Sequence, residues 1–355
     1  MKNIESLCDL FELVGCDATF YDLGRHIRKI TPQQVIQFDK KQQAYPFPFR
    51  QCAWLACFLK NKNTDKKEAS DTGVIWFIKL PLDETGCLNL GTRDHFIKSI
   101  VDKIMNKGEA TGLSEALEDN PYVYKPDQER MASFHAILAT NLNGAQSQYF
   151  QDVVQYLSNE IIDDEEWQKL GLQGIAELAV KIHDTRYLAL VSRAIKQAPT
   201  PFVSALCHAL EHEILPADLS LTIIDKLLQE QDSLMQASYI RALSRTELDD
   251  NLLLPLFGIL GNLNECSDEQ THPIVALAAK CPHWLAKSPQ LLRIIMEKLA
   301  HRDDAYVAFK HVSIELSHQP ETRQPLWDLF KSDRISPRLA QAVSHLFTQT
   351  PTSVQ

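Results

Sequence analysis

The chain has 355 residues, of which 45% are hydrophobic and 23% charged, and its formal net charge is −10 at pH 7. This composition is typical of a soluble globular protein and excludes a disordered, collagen-like or fibrous chain. The length predicts about two domains. The negative charge argues against general binding to nucleic acid or to an anionic membrane surface.

The N-terminal residues do not have the pattern of a signal peptide, because Glu5, Asp9 and Glu12 interrupt any apolar core segment. No stretch approaches the roughly 18 consecutive apolar residues that cross a bilayer. The eight cysteines are spread along the chain without a C-x-x-C pair, which indicates free thiols and argues against a ribbon- or finger-type zinc site. We therefore expect a cytoplasmic protein that does not bind a membrane.

The first part of the chain mixes helical and strand patterns. The predicted elements are, in chain order, a helix at 3–13, a strand at 18–22, a helix at 31–39, strands at 49–59, 73–82 and 87–90, and a helix at 92–105. Thr31 before Pro32 is typical of a helix N-cap. This pattern predicts a small α+β domain with an antiparallel sheet over residues 1–106. The polar, glycine-containing segment 107–125 is predicted to be a linker, with packing against one of the two parts as the alternative.

The remainder, residues 126–355, has helical apolar spacing almost throughout, and its predicted helices include 164–182, 185–197, 201–213 and 270–287. The N-caps predicted in this part are Thr200, Asp232, Asp250, Ser288 and Ser336. Apolar helix starts recur about every 31 to 40 residues, near Gln168, Phe202, Ser233, Pro273, Asp304 and Pro337. This spacing is close to the period of paired-helix repeats and predicts a HEAT- or armadillo-like helical-repeat domain, a solenoid. Residues 1–110 contain 16 Lys and Arg against 14 Asp and Glu, whereas the rest contains 20 against 32. The acidity therefore belongs to the helical part.

His208, Glu211 and His212 form the sequence H-x-x-E-H, in which two imidazoles could hold a zinc ion and the carboxylate could activate a bound water. The apolar stripe of the same predicted helix, which includes Phe202 and Leu206, lies nearly opposite the two histidines. We therefore expect these histidines to face solvent or a groove rather than a closed pocket. A metal-dependent hydrolase at this run is kept as an alternative, and the main interpretation assigns no catalytic residue, metal or cofactor.

A candidate partner-binding patch lies in the first domain, in the sequence YPFPFR, and consists of Tyr45, Phe47, Phe49 and Arg50. The two prolines predict an extended chain at a sheet edge, where exposed aromatic rings could receive a partner. The alternative interpretation is that the rings cover the core of their own domain. The basic run RHIRK at 25–29 is interpreted as a solvated surface.

The run WFIKLPLDE at 76–84, followed by GCL at 86–88 and RDHF at 93–96, resembles the signature of an uncharacterised bacterial family, a domain of unknown function. The mixed start and the helical remainder resemble that family along most of the chain. The resemblance implies a bacterial cytoplasmic protein. It implies no activity and no functional residues.

The sequence contains no phosphate-binding glycine motif and no nucleophile elbow. The leading hypothesis is a non-enzymatic interaction or scaffold protein, whose acidic solenoid surface binds another protein with a basic surface. A metal-dependent hydrolase and a HEAT-like nucleic-acid binder are the two alternatives.

Overall fold

The computed structural model describes residues 4–62, 73–107, 117, 119–163, 165–262, 271–302 and 306–348. The chain divides into two units, Met1–Ala145 and Gln146–Gln355. All described strands lie in the first unit, and the described part of the second unit contains helices only. The chain is therefore mostly helical, with a small antiparallel sheet near its N-terminus, as the sequence predicts.

Within its described residues, the first unit contains a four-stranded antiparallel sheet and four α-helices. In chain order they are α1 (Leu7–Leu13), β1 (Cys16–Asp22), β2 (Arg28–Lys29), α2 (Pro32–Asp39), β3 (Cys52–Asn61), β4 (Gly73–Pro81), α3 (Leu90–Lys107) and α4 (Gln128–Asn141). The strand order is β2-β1-β3-β4, and all neighbouring strands are antiparallel. Helix α2 begins as predicted, because Thr31 and Gln34 form a capping box at its N-terminus. The predicted strand at 87–90 is reduced to one bridge between Leu82 and Leu88.

Both faces of the sheet are covered by helices. On one face, Phe20, Cys57 and Trp76 belong to an apolar core that also contains buried residues of α1, α2 and α3. These three residues are opposite one another across β1, β3 and β4, so alternation along each strand places them on the same face. This core anchors the sheet to the helices that precede and follow its strands.

Helix α4 covers the other face of the sheet. Its residues Phe134 and Leu138 are buried against Tyr21, Ala56 and Phe58. The sequence predicts that the helical domain begins at residue 126, whereas the division between the units lies after residue 145. The reason is that the second face of β1 and β3 is also apolar, and α4 is the helix that buries it.

Part of the predicted linker continues the sheet. Residues 108–116 and 118 lie outside the described residues. Beyond them, the amide of Lys79 donates to the carbonyl of Tyr122 (2.7 Å), and the amide of Tyr124 donates to the carbonyl of Phe77 (3.2 Å). The end of the linker is thus hydrogen-bonded to the outer edge of β4.

The second unit consists of thirteen α-helices within its described residues. They are α5 (Gln148–Ser158), α6 (Leu172–Val180), α7 (Thr185–Gln197), α8 (Thr200–Leu210), α9 (Ala217–Gln229), α10 (Ser233–Leu243), α11 (Asp250–Asn262), α12 (His272–Lys280), α13 (Pro282–Lys287), α14 (Pro289–Ala300), α15 (Val307–His318), α16 (Pro320–Phe330) and α17 (Pro337–Thr348). Predicted caps are present at Asp232, Ser288 and Ser336, whose side chains accept from backbone amides in the first turns of α10, α14 and α17.

The helices of this unit form two rows. In row A, α6 contacts α8, α8 contacts α10, α10 contacts α12, and α12 contacts α15. In row B, α5 contacts α7, α7 contacts α9, α9 contacts α11, α11 contacts α14, and α14 contacts α17. The rows also contact each other, for example through α5 with α6 and α9 with α10. From α5 to α12 the helices therefore pack against their second neighbours along the chain, whereas the later contacts within the rows join third neighbours, and α13 and α16 belong to neither row.

Two predicted helices are interrupted. The predicted helix at 164–182 becomes a 3₁₀ turn at Glu166–Lys169 followed by α6, because the chain is extended at Leu170 and Gly171. The predicted helix at 270–287 becomes α12 and α13, which are separated at Cys281, the residue before Pro282. Both interruptions occur at residue types that disfavour a continuous helix.

Candidate functional site

The H-x-x-E-H run lies at the C-terminal end of α8, and it is not a single helical face. Helix α8 ends at Leu210, Glu211 is its C-cap, and His212 lies beyond the helix. The prediction that His212 faces solvent or a groove is wrong, since His212 is 3% exposed and Glu211 is 1% exposed. The prediction assumed a helix that continues to residue 213. Because the helix stops earlier, the chain turns inward and buries both side chains.

Glu211 is the centre of an ionic cluster that joins three helices of row A. The Nε of Arg241 in α10 donates to one carboxylate oxygen of Glu211 (2.6 Å), and the Nζ of Lys280 in α12 donates to the other (2.8 Å). The Nε2 of His212 lies 3.7 Å from the same oxygen as Lys280. Burial by itself would raise the pKa of Glu211, but the charges of Lys280, His212 and Arg241 outweigh it, and the pKa lies well below its usual value.

His208 also contacts this cluster. Its Nε2 lies 3.1 Å from an Nη1 of Arg241. Because a guanidinium only donates hydrogen bonds, the Nε2 of His208 is the acceptor in this contact. His208 and Glu211 thus both receive hydrogen bonds from Arg241.

This geometry is that of an internal ion-pair network. Both oxygens of Glu211 are bonded to cations, so a metal ion at this carboxylate would have to displace Lys280 or Arg241. Among the described residues, no group of three or more His, Cys, Asp or Glu side chains is arranged to hold a metal ion. What the cluster can do is fix α8, α10 and α12 relative to one another, because loss of the Glu211 charge would remove the carboxylate that Arg241 and Lys280 share.

The candidate patch in the first unit is only partly at the surface. Tyr45 is 2% exposed, and its hydroxyl donates to a carboxylate oxygen of Asp22 (2.7 Å). Tyr45 therefore offers no surface to a partner. Phe47 and Phe49 are half-buried, and Arg50 is exposed. Phe47 packs against the core of the unit, which agrees with the alternative interpretation for this ring.

The basic run at 25–29 is not a solvated surface throughout, which corrects the prediction. Arg25 is 8% exposed and His26 is 2% exposed. The guanidinium of Arg25 lies 5.4 Å from the ring centre of Phe49, and that of Arg28 lies 5.1 Å from the ring centre of Phe47. Stacking on these rings is what allows two arginines to approach the interior of the unit.

Sequence analysis did not find Asp22, although it is the most perturbed carboxyl of the first unit. Asp22 is 1% exposed, and burial raises its pKa to about 7, against the opposing effects of the Tyr45 hydroxyl, the Gly24 amide, Arg28 and Arg130. A signal was present in the strand pattern. Phe20 and Asp22 are two residues apart in β1 and so share a face of the sheet, and Phe20 belongs to the core.

The chain was compared with known protein families, curated proteins and solved structures. The family described as "Protein of unknown function (DUF3549)" matches residues 2–347. The chain belongs to this family. The match confirms the predicted resemblance to a domain of unknown function. No curated protein and no solved structure matches the chain.

For this DUF3549 protein, the family match extends over both units. None of the helices in the part of the chain that the structure describes combines the length and the apolar character that a membrane crossing requires. Six cysteines of the described residues are free thiols, namely Cys8, Cys16, Cys52, Cys57, Cys87 and Cys207, and Cys266 lies outside the described residues. Burial raises the pKa of Cys57 well above its usual value and also raises that of Cys207, so neither thiol is activated as a nucleophile.

Proposed function

We propose that this DUF3549 protein is a non-enzymatic interaction protein of the cytoplasm. Its helical unit would be a HEAT- or armadillo-like solenoid that recognises a protein with a basic surface. The arrangement of the helices supports the first part of this proposal. Rows A and B repeat the same contacts between second neighbours over most of the unit, which is typical of stacked helix pairs. Such stacks present extended surfaces, and their common use is the recognition of other proteins.

The distribution of charged residues along the helical unit is the observation from which we infer a basic partner. Residues 146–270 contain 8 Lys and Arg against 20 Asp and Glu, whereas residues 271–355 contain 10 against 7. The acidity predicted for the helical part is therefore concentrated in its first helix pairs. A surface of one sign attracts and orients a partner of the opposite sign. We infer that the partner binds to this acidic part through a basic surface of its own.

No specific observation favours either alternative function, the metal-dependent hydrolase or the nucleic-acid binder. The carboxylate that a hydrolase would need as a base, Glu211, is bonded to two cations and is held ionised by them. A nucleic-acid binder needs a basic surface, and the helical unit is most acidic where its rows begin.

The test is a pull-down from native lysate with the tagged full-length chain, read by mass spectrometry and by metal analysis of the bait. We expect a stoichiometric basic protein whose retention weakens as salt is raised. The double variant E160K/E247K reverses two exposed charges of the acidic part and should weaken binding at least about tenfold. The matched control E321K/D333K reverses two exposed charges in residues 271–355 and should have little effect.

Two results would contradict the proposal. One is a partner that both double variants retain equally and that high salt does not release. The other is the absence of any stoichiometric protein, together with about one tightly bound metal ion per chain.

A further inference from the structure

The outward face of α9 alternates acidic and leucine side chains. Asp218, Leu221, Asp225 and Leu228 are all exposed, and their spacing of three, four and three residues places them on one stripe of the helix. Leu221 is 48% exposed and Leu228 is 56% exposed. The other side of α9 carries its buried residues Leu219, Ser220, Ile223, Ile224 and Leu227. The core of the unit therefore does not account for the two exposed leucines.

The neighbouring helix of row B, α11, continues this pattern. Leu254 is 68% exposed, and Gly258 and Gly261 follow it at the surface along the same side of the helix. A Cβ atom added at either glycine would meet nothing within 4 Å. Glycine lowers the stability of a helix relative to alanine. The described residues around Gly258 and Gly261 leave room for a side chain, so packing within the unit does not explain why these positions are glycine. Glycine at such positions does permit another backbone to approach closely.

Resting on the proposed function, we infer that the exposed faces of α9 and α11 form the docking surface for a basic amphipathic helix of the partner protein. This α9–α11 surface consists of Asp218, Leu221, Asp225, Leu228, Leu254 and Gly258.

The chemistry of the surface selects this occupant. Its leucines match the apolar stripe of an amphipathic helix, which binds through residues spaced by three, four and seven. Its aspartates alternate with those leucines along α9, so they would face Lys and Arg side chains that border the partner's apolar stripe. Gly258 would allow the partner helix to lie close to α11.

The same charges argue against two other occupants. A second copy of this chain that bound through the same face would bring the Asp218 and Asp225 carboxylates of both copies into one interface, where their like charges repel. An anionic lipid surface would be repelled for the same reason.

The experiment uses the full-length chain and a fluorescent peptide of about 18 residues, with leucine on one helical face and lysine on the other. Binding is followed by fluorescence anisotropy. A peptide with glutamate in place of lysine tests the charge, and a scrambled peptide of the same composition tests the amphipathic pattern. We expect the leucine–lysine helix to bind at least about tenfold more tightly than either control peptide.

Variants of the chain then locate the binding site. We expect L221S/L254S to weaken binding at least about tenfold. The matched control L234S/V275S replaces two side chains of similar exposure, 58% and 48%, on row A and should change binding by less than about twofold. Gly258→Ala should raise the midpoint of thermal unfolding and yet weaken binding, a combination that damage to the fold cannot produce.

Three outcomes would overturn the inference. The first is equal binding of the peptide to wild type and to L221S/L254S, or no binding to the wild type. The second is a dimer of the chain that L221S/L254S dissociates, which would make a second copy the occupant. The third is a native partner that L221S/L254S retains and E160K/E247K loses. That result would reject this surface and leave the proposed function standing.

Discussion

Each unit contains a carboxyl group that is 1% exposed, Asp22 in the first unit and Glu211 in the second, and the two have opposite properties. Burial raises the pKa of Asp22 to about 7, whereas the pKa of Glu211 lies well below its usual value. Burial alone therefore does not decide whether a carboxyl group is charged. The charge depends on which groups contact the carboxyl group directly.

The partners of the two groups explain the difference. Asp22 accepts hydrogen bonds from neutral donors, the hydroxyl of Tyr45 and the amide of Gly24, and the charges of Arg28 and Arg130 offset its burial only in part. Glu211 is bonded directly to the cations of Arg241 and Lys280. The first unit thus buries a carboxyl group that can become neutral, and the second unit buries one that stays ionised and links helices.

The largest effect is expected for Glu211→Gln. The substitution keeps the size of the side chain and removes its charge, which leaves Lys280 and Arg241 without their common anion. We expect the free energy of unfolding of the second unit to fall by about 3 kcal/mol at neutral pH. Native-state hydrogen exchange of the amides in α10 and α12 measures this loss within the second unit.

Glu247→Gln is the matched control for this substitution. The side chain of Glu247 is 91% exposed, and its ion pair with Lys287 is 3.6 Å long. We expect almost no change in amide exchange. A similar loss for both variants, or for neither, would contradict the structural role given to the Glu211 cluster.

The second prediction concerns the pH dependence of Asp22. Its pKa rises from 3.8 in the unfolded chain to about 7 in the folded one, so its contribution favours folding below about pH 3.8 and is lost as the pH rises through about 7. The ionised form costs up to about 4 kcal/mol of stability above that pH. Asp22→Asn removes this cost. We expect the variant to gain stability relative to wild type between about pH 5 and about pH 8.

The measurement is the free energy of unfolding in urea of wild type and of Asp22→Asn, at about pH 5 and at about pH 8. The difference between the two proteins cancels the titration of the other groups. A difference that is the same at both pH values would show that Asp22 is ionised across this range, and the contrast with Glu211 would then fail.

The smallest effect is expected for Tyr45→Phe, which removes the hydroxyl that donates to Asp22. We expect a loss of about 1 kcal/mol in the free energy of unfolding. The pKa of Asp22 should rise further, because a hydrogen bond to the charged form is lost. Carbon NMR of the carboxyl group follows the titration directly. The control Tyr187→Phe alters a half-exposed tyrosine of the second unit and should leave the titration of Asp22 unchanged.

The sequence predicted most of the local structure and little of the buried chemistry. The predicted helix at 185–197 coincides with α7, and the predicted N-caps Asp232 and Ser288 are present, because these features depend on neighbours within one or two turns. The periodic spacing of helix starts predicted paired-helix repeats, and this stays a prediction, since contacts between second neighbours recur only from α5 to α12. The burial of His212 was not predicted, because it depends on where α8 ends and on what then covers the turn.

By itself, the sequence determined most of the helices, the three long strands of the sheet, and the concentration of acidity in the helical part. Only the tertiary structure decided that α4 covers the sheet, that Tyr45 bonds to Asp22, and that Glu211 meets partners 30 and 69 residues away. The physical reason is the range of the interactions. Helical periodicity and capping act between residues close in sequence, whereas the neighbours that set the burial and charge of a side chain are brought to it only by the packing of distant segments.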